Sequence, residues 1–245
     1  MPGAPLTAAP AIGWFGKLPC AGDFVHRRLP YPVMEAVDNW LQQGLGQLRT
    51  THAADWRACY EAAPMWNCAI PATITRGGQT LIGLLAPSRD RVGREFPLCA
   101  GVALPAGISA TPLLATSHDW LMALGRIVAL AQTRPTTIDA FDAAVQSITM
   151  PLLAPADPAG GGGDDILAII NDSSADVPTV PMPLAHALPW PDLPHKFDPD
   201  GTTSYWWTNT GTGAPLRGFA TDAGLAPSLM LTLMRPLVGA PRGRR

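Results

Sequence analysis

A chain of 245 residues that is 47% apolar and only 15% charged can bury a full hydrophobic core, and its composition excludes a disordered or fibrous protein. With a formal charge of -2 at pH 7, it offers no basic surface for nucleic acid or an anionic membrane. No secretory leader or membrane insertion is expected: the opening MPGAPLTAAPAIGW lacks a basic stretch ahead of an apolar core, and the most apolar helical run is short and interrupted by Arg126.

The first strand is predicted over residues 12–18, ended by Pro19, with a turn at Ala21-Gly22. From Pro32, PVMEAVDNWLQQGLGQL sets Val33, Val37, Trp40, Leu41, Leu45 and Leu48 three or four apart. That is the stripe of an amphipathic helix with proline in its first turn. A second short helix is expected over 53–61. Three strands follow: MWNCAI, TLIGLLAPS after the turn Arg76-Gly77-Gly78, and FPLCAGVAL. The last two are unbroken apolar runs, as in strands covered on both faces. Between them SRDRVGRE must be exposed at its tip. Thr116 or Ser117 is placed to cap a helix over HDWLMALGRIVALAQ, and Thr137 another over IDAFDAAVQSI.

The run APADPAGGGGDD then breaks regular structure and gives a flexible loop at 155–165. ILAII reads as a strand or a buried helical turn, and the proline-rich residues 178–200 as an extended surface crossing. SYWWT is a strand, and RGFAT with APSLMLTLM closes a single domain over 1–245, whose ends at 1–11 and 238–245 are flexible. Helices alternating with doubly covered strands predict a three-layer αβα sandwich. The hairpin-like link between the second and third strands makes its central sheet mixed, at least partly antiparallel.

Motifs for chemistry fail on mechanical grounds. Gly16-Lys17 resembles the end of a phosphate-binding loop, but Leu18 follows the lysine and Ala11 stands where the first glycine is needed. No G-x-S-x-G elbow is present, the five histidines are scattered, and no Cys/His spacing fits zinc, so neither metal nor cofactor is expected. Cys20, Cys59, Cys68 and Cys99 form no CxxC pair and read as reduced thiols of a cytoplasmic protein. FDPDGTT lacks the downstream glutamate of a calcium loop. Trp40 and Trp120 lie on apolar helix stripes, while Trp206 and Trp207, adjacent in a strand, must face opposite ways and are assigned to the core.

What remains is charge beside glycine: Lys17, Asp23, Arg27 and Arg28 in the first segment, then Asp90, Arg91, Arg94 and Glu95. If the two segments leave neighbouring strands, Asp23 and Asp90 can accept bidentate bonds from Arg91 or Arg94 and pin the loops together. Lys17 and Asp23 then fix the first turn against SRDRVGRE. Asp23 and Asp90 are read first as architecture, and Arg27 and Arg28 first as a partner surface. The competing reading is an enzyme or binding domain that holds a nucleotide or small phosphorylated ligand with Lys17, Asp23, Asp90 and Arg91.

These segments also carry a resemblance. GWFGKLPCAGDFVHRRLP, DNWLQQGL, APMW, LAPSRDRVGREFPL and SYWWT stand in the order and spacing of the TagF/ImpM family of type VI secretion accessory proteins, and the chain resembles that family over roughly residues 12–222. Within the blocks Gly13, Trp14, Gly16, Pro19, Gly22, Asp23, Phe24, Asp90, Gly93, Phe96, Pro97, Trp206 and Trp207 are taken as the structural motif. Lys17, Arg27, Arg28, Arg91 and Arg94 are taken as candidate partner contacts. The family pattern has a bulky residue after PMW, where this chain has Asn67 and Cys68. The resemblance implies a cytoplasmic, non-enzymatic regulator that restrains type VI secretion after translation through the forkhead-associated (Fha) scaffold. A PP2C-type phosphatase or a kinase of the same pathway is a further candidate partner. It also implies an αβα sandwich.

Overall fold

The computed structural model describes residues 10–75, 77–153 and 189–235. Its elements run β1 (Gly13–Gly16), β2 (Val25–Arg27), α1 (Tyr31–Thr51), α2 (Trp56–Glu61), β3 (Trp66–Ile70), α3 (Ala72–Thr75), β4 (Gln79–Ala86) and β5 (Leu98–Pro105). Then come α4 (Thr111–Ala115), α5 (Ser117–Thr133), α6 (Ile138–Gln146), α7 (Leu193–Lys196), β6 (Ser204–Thr208), β7 (Gly218–Thr221) and α8 (Pro227–Leu233). The expectations for the N-terminal end up to residue 9, the glycine-rich loop, ILAII, the crossing over 178–188, Arg76 and the far C-terminal end lie outside the described residues.

The strands form one seven-stranded sheet in the order β2-β1-β5-β4-β3-β6-β7. Every pairing is antiparallel. This corrects the mixed sheet. A helix between two strands leaves their relative direction open, and here the chain returns each time on the side that gives antiparallel pairing. Strands covered on both faces read as continuous apolar runs whichever way their neighbours point.

Side chains alternate between two separate apolar clusters. Ile82, Leu84 and Ala86 of β4 join Trp120, Leu121, Leu124 and Val128 of α5 and Phe141 and Val145 of α6. Leu81 and Leu85 of the same strand join Val33, Val37, Trp40, Leu41, Leu45 and Leu48 of α1 and Met230 of α8. Trp206 belongs to the second cluster and Trp207 to the first, each 1% exposed. The period of two has split the pair across the sheet.

Local signals explain several helix starts. Pro32, Pro112 and Pro227 occupy the first turns of α1, α4 and α8, where a missing N–H costs nothing. Thr137 caps α6 by accepting from Ala140 N at 3.1 Å. Thr116 and Ser117 do not cap α5 through their side chains: both hydroxyls donate back to the preceding turn, at Pro112 O and Leu114 O. The extended crossing needs correction over 189–200, which holds α7 with Leu193 buried. Asn67, in place of the bulky family residue, is buried and accepts from Asn209 Nδ2 at 2.9 Å. Asn209 also donates to Leu121 O at 2.7 Å, so an amide pair fills that part of the core. Among the described residues, no helix is long and apolar enough to cross a membrane.

Candidate functional site

β1 leaves the sheet between β2 and β5, so the loop that follows it and the loop between β4 and β5 emerge side by side. Gly16 makes the exit. Its φ is +133°, and a Cβ there would sit 2.2 Å from Pro97 O, so β1 and the start of β5 meet where only glycine fits. The second loop closes on itself through Asp90. Its Oδ1 accepts from Val92 N at 3.1 Å and Arg94 N at 2.9 Å, and Gly93 turns the chain at φ +84°.

The same carboxylate ties the two loops together. Asp90 Oδ2 receives Lys17 Nζ at 3.0 Å from the first loop and Arg94 Nε at 2.7 Å from its own. The Asp90 side chain is fully buried, and Lys17 is nearly so. Burial would raise the Asp90 carboxyl, but the Arg94 backbone amide, Lys17 and the Arg94 guanidinium outweigh it and hold it well below the ordinary carboxylate range. Three further bonds close the seam. Arg91 N donates to Ala21 O at 2.8 Å, Arg94 Nη2 to Gly22 O at 2.6 Å and Ser88 Oγ to Lys17 O at 2.7 Å. Tyr60 of α2 braces the second loop, its hydroxyl donating to Ser88 O and accepting from Ser88 N, both at 2.8 Å.

Asp23 stands outside this network. It is exposed, and among the described residues its carboxylate accepts only from the neighbouring Phe24 N at 2.8 Å. The pinning expected of the pair Asp23 and Asp90 is carried by Asp90 alone, with Lys17 and Arg94 as its cations. Asp23 cannot share them because it points out from the turn after Gly22.

Arg28 is also tied down. It sits at φ +56°, donates through Nη1 to Asp142 Oδ2 of α6 at 2.9 Å, and donates through Nε to Ile12 O at 3.2 Å. Trp14 Nε1 donates to the other oxygen of Asp142 at 2.7 Å. The Arg28 guanidinium, ahead of the tryptophan, keeps the Asp142 carboxyl below its usual range. Arg27 is freer: its guanidinium lies 3.7 Å from the exposed Asp139, over the Trp14 ring at 6.0 Å.

The outer surface of this rim combines apolar and cationic groups. Phe24 is 47% exposed and Val92 67%. Phe24 packs edge-on to Phe96 at 4.7 Å, and Lys17 Nζ lies 5.0 Å from its ring centre. Arg91 is exposed beside Gly22. Pro19 lines a cleft of about 340 Å³ with Tyr60 and Glu95. Trp206 and Trp207 lie in the core, away from this rim. Tyr60, Ser88 and Asp142 were missed from sequence because single polar residues in otherwise apolar or helical runs carry no spacing signal.

The family model described as TagF N-terminal domain, type VI secretion system-associated, matches residues 13–148, which include both loops. Among solved structures the chain is similar to PA0076 from Pseudomonas aeruginosa PAO1, with a TM-score of 0.64 and 25% identity over 96% of this chain and 100% of that one. A search of curated proteins found no match.

Proposed function

The chain belongs to the TagF N-terminal domain family of type VI secretion-associated proteins, and from that premise we propose that it is a cytoplasmic, non-enzymatic regulator that restrains the secretion apparatus after translation by docking on the Fha scaffold. The observation that carries this reading is the double loop locked by Asp90. It holds Arg91, Phe24 and Val92 outward on a support cross-linked by its own bonds, with Arg27 exposed on the adjoining β2. A surface that is ordered before contact loses less conformational freedom on binding. The two apolar clusters on opposite sheet faces support reading the fold as the three-layer sandwich of this proposal.

The phosphorylated-ligand reading loses support at the same place. Lys17 and Arg94 are both engaged by the single carboxylate of Asp90, and Asp23 does not share their cluster. A phosphate at Lys17 would have to displace a carboxylate that two loops depend on. If thermal melting with a panel of nucleotides and sugar phosphates gives a stabilisation near 2.7 kcal/mol at about a hundred times Kd, the ligand reading is restored.

The proposal is tested by retention on the immobilised protein from lysate of cells carrying a type VI cluster, with mass spectrometry of what is held. The Fha scaffold should be retained, alone or with the PP2C-type phosphatase or kinase of its pathway. Retention of sheath or tube components in constant proportion, without the scaffold, would instead make the chain a structural subunit.

A further inference from the structure

The corner between α1 and α2 carries a donor set outside the rim described above. His52 ends α1, and its carbonyl accepts from Asp55 N at 3.0 Å and Trp56 N at 2.7 Å, which turns the chain directly into α2. That turn sets His52 Nδ1 3.6 Å from one oxygen of Asp55. Cys59, one helical turn further on, sets its Sγ 3.8 Å from the other oxygen. The three donor atoms lie within 4.8 Å of one another.

Those separations are close to the edges of a zinc coordination tetrahedron. Zinc bonds of about 2.0–2.3 Å to nitrogen, oxygen and sulfur put neighbouring ligand atoms roughly 3.3–3.7 Å apart. The two contacts end on different oxygens of Asp55, so one oxygen as ligand keeps one edge near its final length, and side-chain rotation closes the other two from within the 4.8 Å that already spans the set. An imidazole, a carboxylate and a thiolate make a borderline donor set that suits zinc and disfavours magnesium or calcium. Solvent reaches the corner, since the side chains of His52 and Asp55 are 35% and 63% exposed. The neighbouring cations are drawn aside: Arg49 and Arg57 lie over the Trp56 ring at 4.7 and 5.3 Å, and Arg57 Nε pairs with Glu95 at 2.5 Å.

We propose that His52, Asp55 and Cys59 bind a zinc ion at the α1–α2 corner, with water in the fourth position. On binding, the Cys59 thiol gives its proton to solvent and its sulfur bonds to the metal. The spacing H-x2-D-x3-C differs from the paired Cys and His spacings of familiar zinc motifs, which is why the sequence did not suggest it. The ion would join the end of α1 to the helix that carries Tyr60, and through Tyr60 it would steady the second loop at Ser88. The site stands on its own geometry and does not depend on what docks at the rim.

Cobalt(II) added to the purified full chain is the direct probe, because a thiolate ligand gives it an intense sulfur-to-metal charge-transfer band. One equivalent should produce the band, and zinc should displace it. Cys59→Ser should abolish the band and His52→Gln should weaken the affinity, both with unchanged far-ultraviolet circular dichroism, while Cys20→Ser, at the other part-exposed thiol, should keep both. No band in the wild-type chain, a band that survives Cys59→Ser, or an affinity indifferent to His52→Gln would each overturn the proposal.

Discussion

Asp90 concentrates four donors on one carboxylate: the backbone amides of Val92 and Arg94, the Arg94 guanidinium and the Lys17 ammonium. Its folded pKa is depressed, so its contribution to stability is complete above the ordinary Asp value of about 3.9 and is lost as pH falls toward the folded value. Asp90→Asn should therefore be less stable than wild type at neutral pH, and the gap should narrow below about pH 4. Urea unfolding at stepped pH measures it, and a gap constant with pH would contradict the assignment. This was half legible in the sequence. An aspartate and arginines flanking glycine announced a tight charged turn, but the choice of Asp90 over Asp23 depends on which carboxylate points into the seam, and spacing does not encode that.

At the scale of elements, the end of β2 is tied to α6 by Arg28, the residue after the strand, and Asp142, with Trp14 of β1 completing the triad. The adjacent Arg27 is held more loosely: it lies 3.7 Å from an exposed aspartate, over the Trp14 ring, and donates to the carbonyl of its neighbour His26. Arg28→Ala should accordingly cost about 1–2 kcal/mol, as loss of charged hydrogen bonds does, while Arg27→Ala should stay within about 0.5 kcal/mol of wild type. Thermal melting of the two variants separates a structural arginine from a free one, and equal effects would remove the distinction. The sequence treated Arg27 and Arg28 alike because a basic dipeptide shows no register. The pairing Trp14 with Arg27 fixes it, and a left-handed Arg28 then turns its guanidinium toward α6. β2 itself went unrecognised, since Val25-His26-Arg27 has no apolar alternation and is a strand only through its pairing with β1.

Across the whole molecule, long helices and core strands were readable because apolar periodicity is a local signal. α1, α5 and α6 and the strands around Cys68, Leu84 and Val102 lie where the pattern puts them. Strand direction was readable at the β4–β5 hairpin, which is antiparallel as its short link predicts, and not elsewhere. β1 pairs with β5 and β3 with β6 across long stretches of chain, and a connection of that length permits either direction. α7 was hidden for another reason: its proline sits in a first turn, where it favours a helix as readily as an extended segment. At this scale one rim of the sheet, cross-linked before contact, is the surface that we propose the partner reads.

That claim is tested most directly by calorimetric titration of the purified Fha scaffold into wild type and the double variant Arg91→Glu/Val92→Asp, whose side chains are exposed and make no side-chain bond across the seam. The account predicts a wild-type melting temperature for the variant and loss of measurable scaffold binding. Undiminished binding by a variant that melts normally would contradict it and place the docking surface elsewhere.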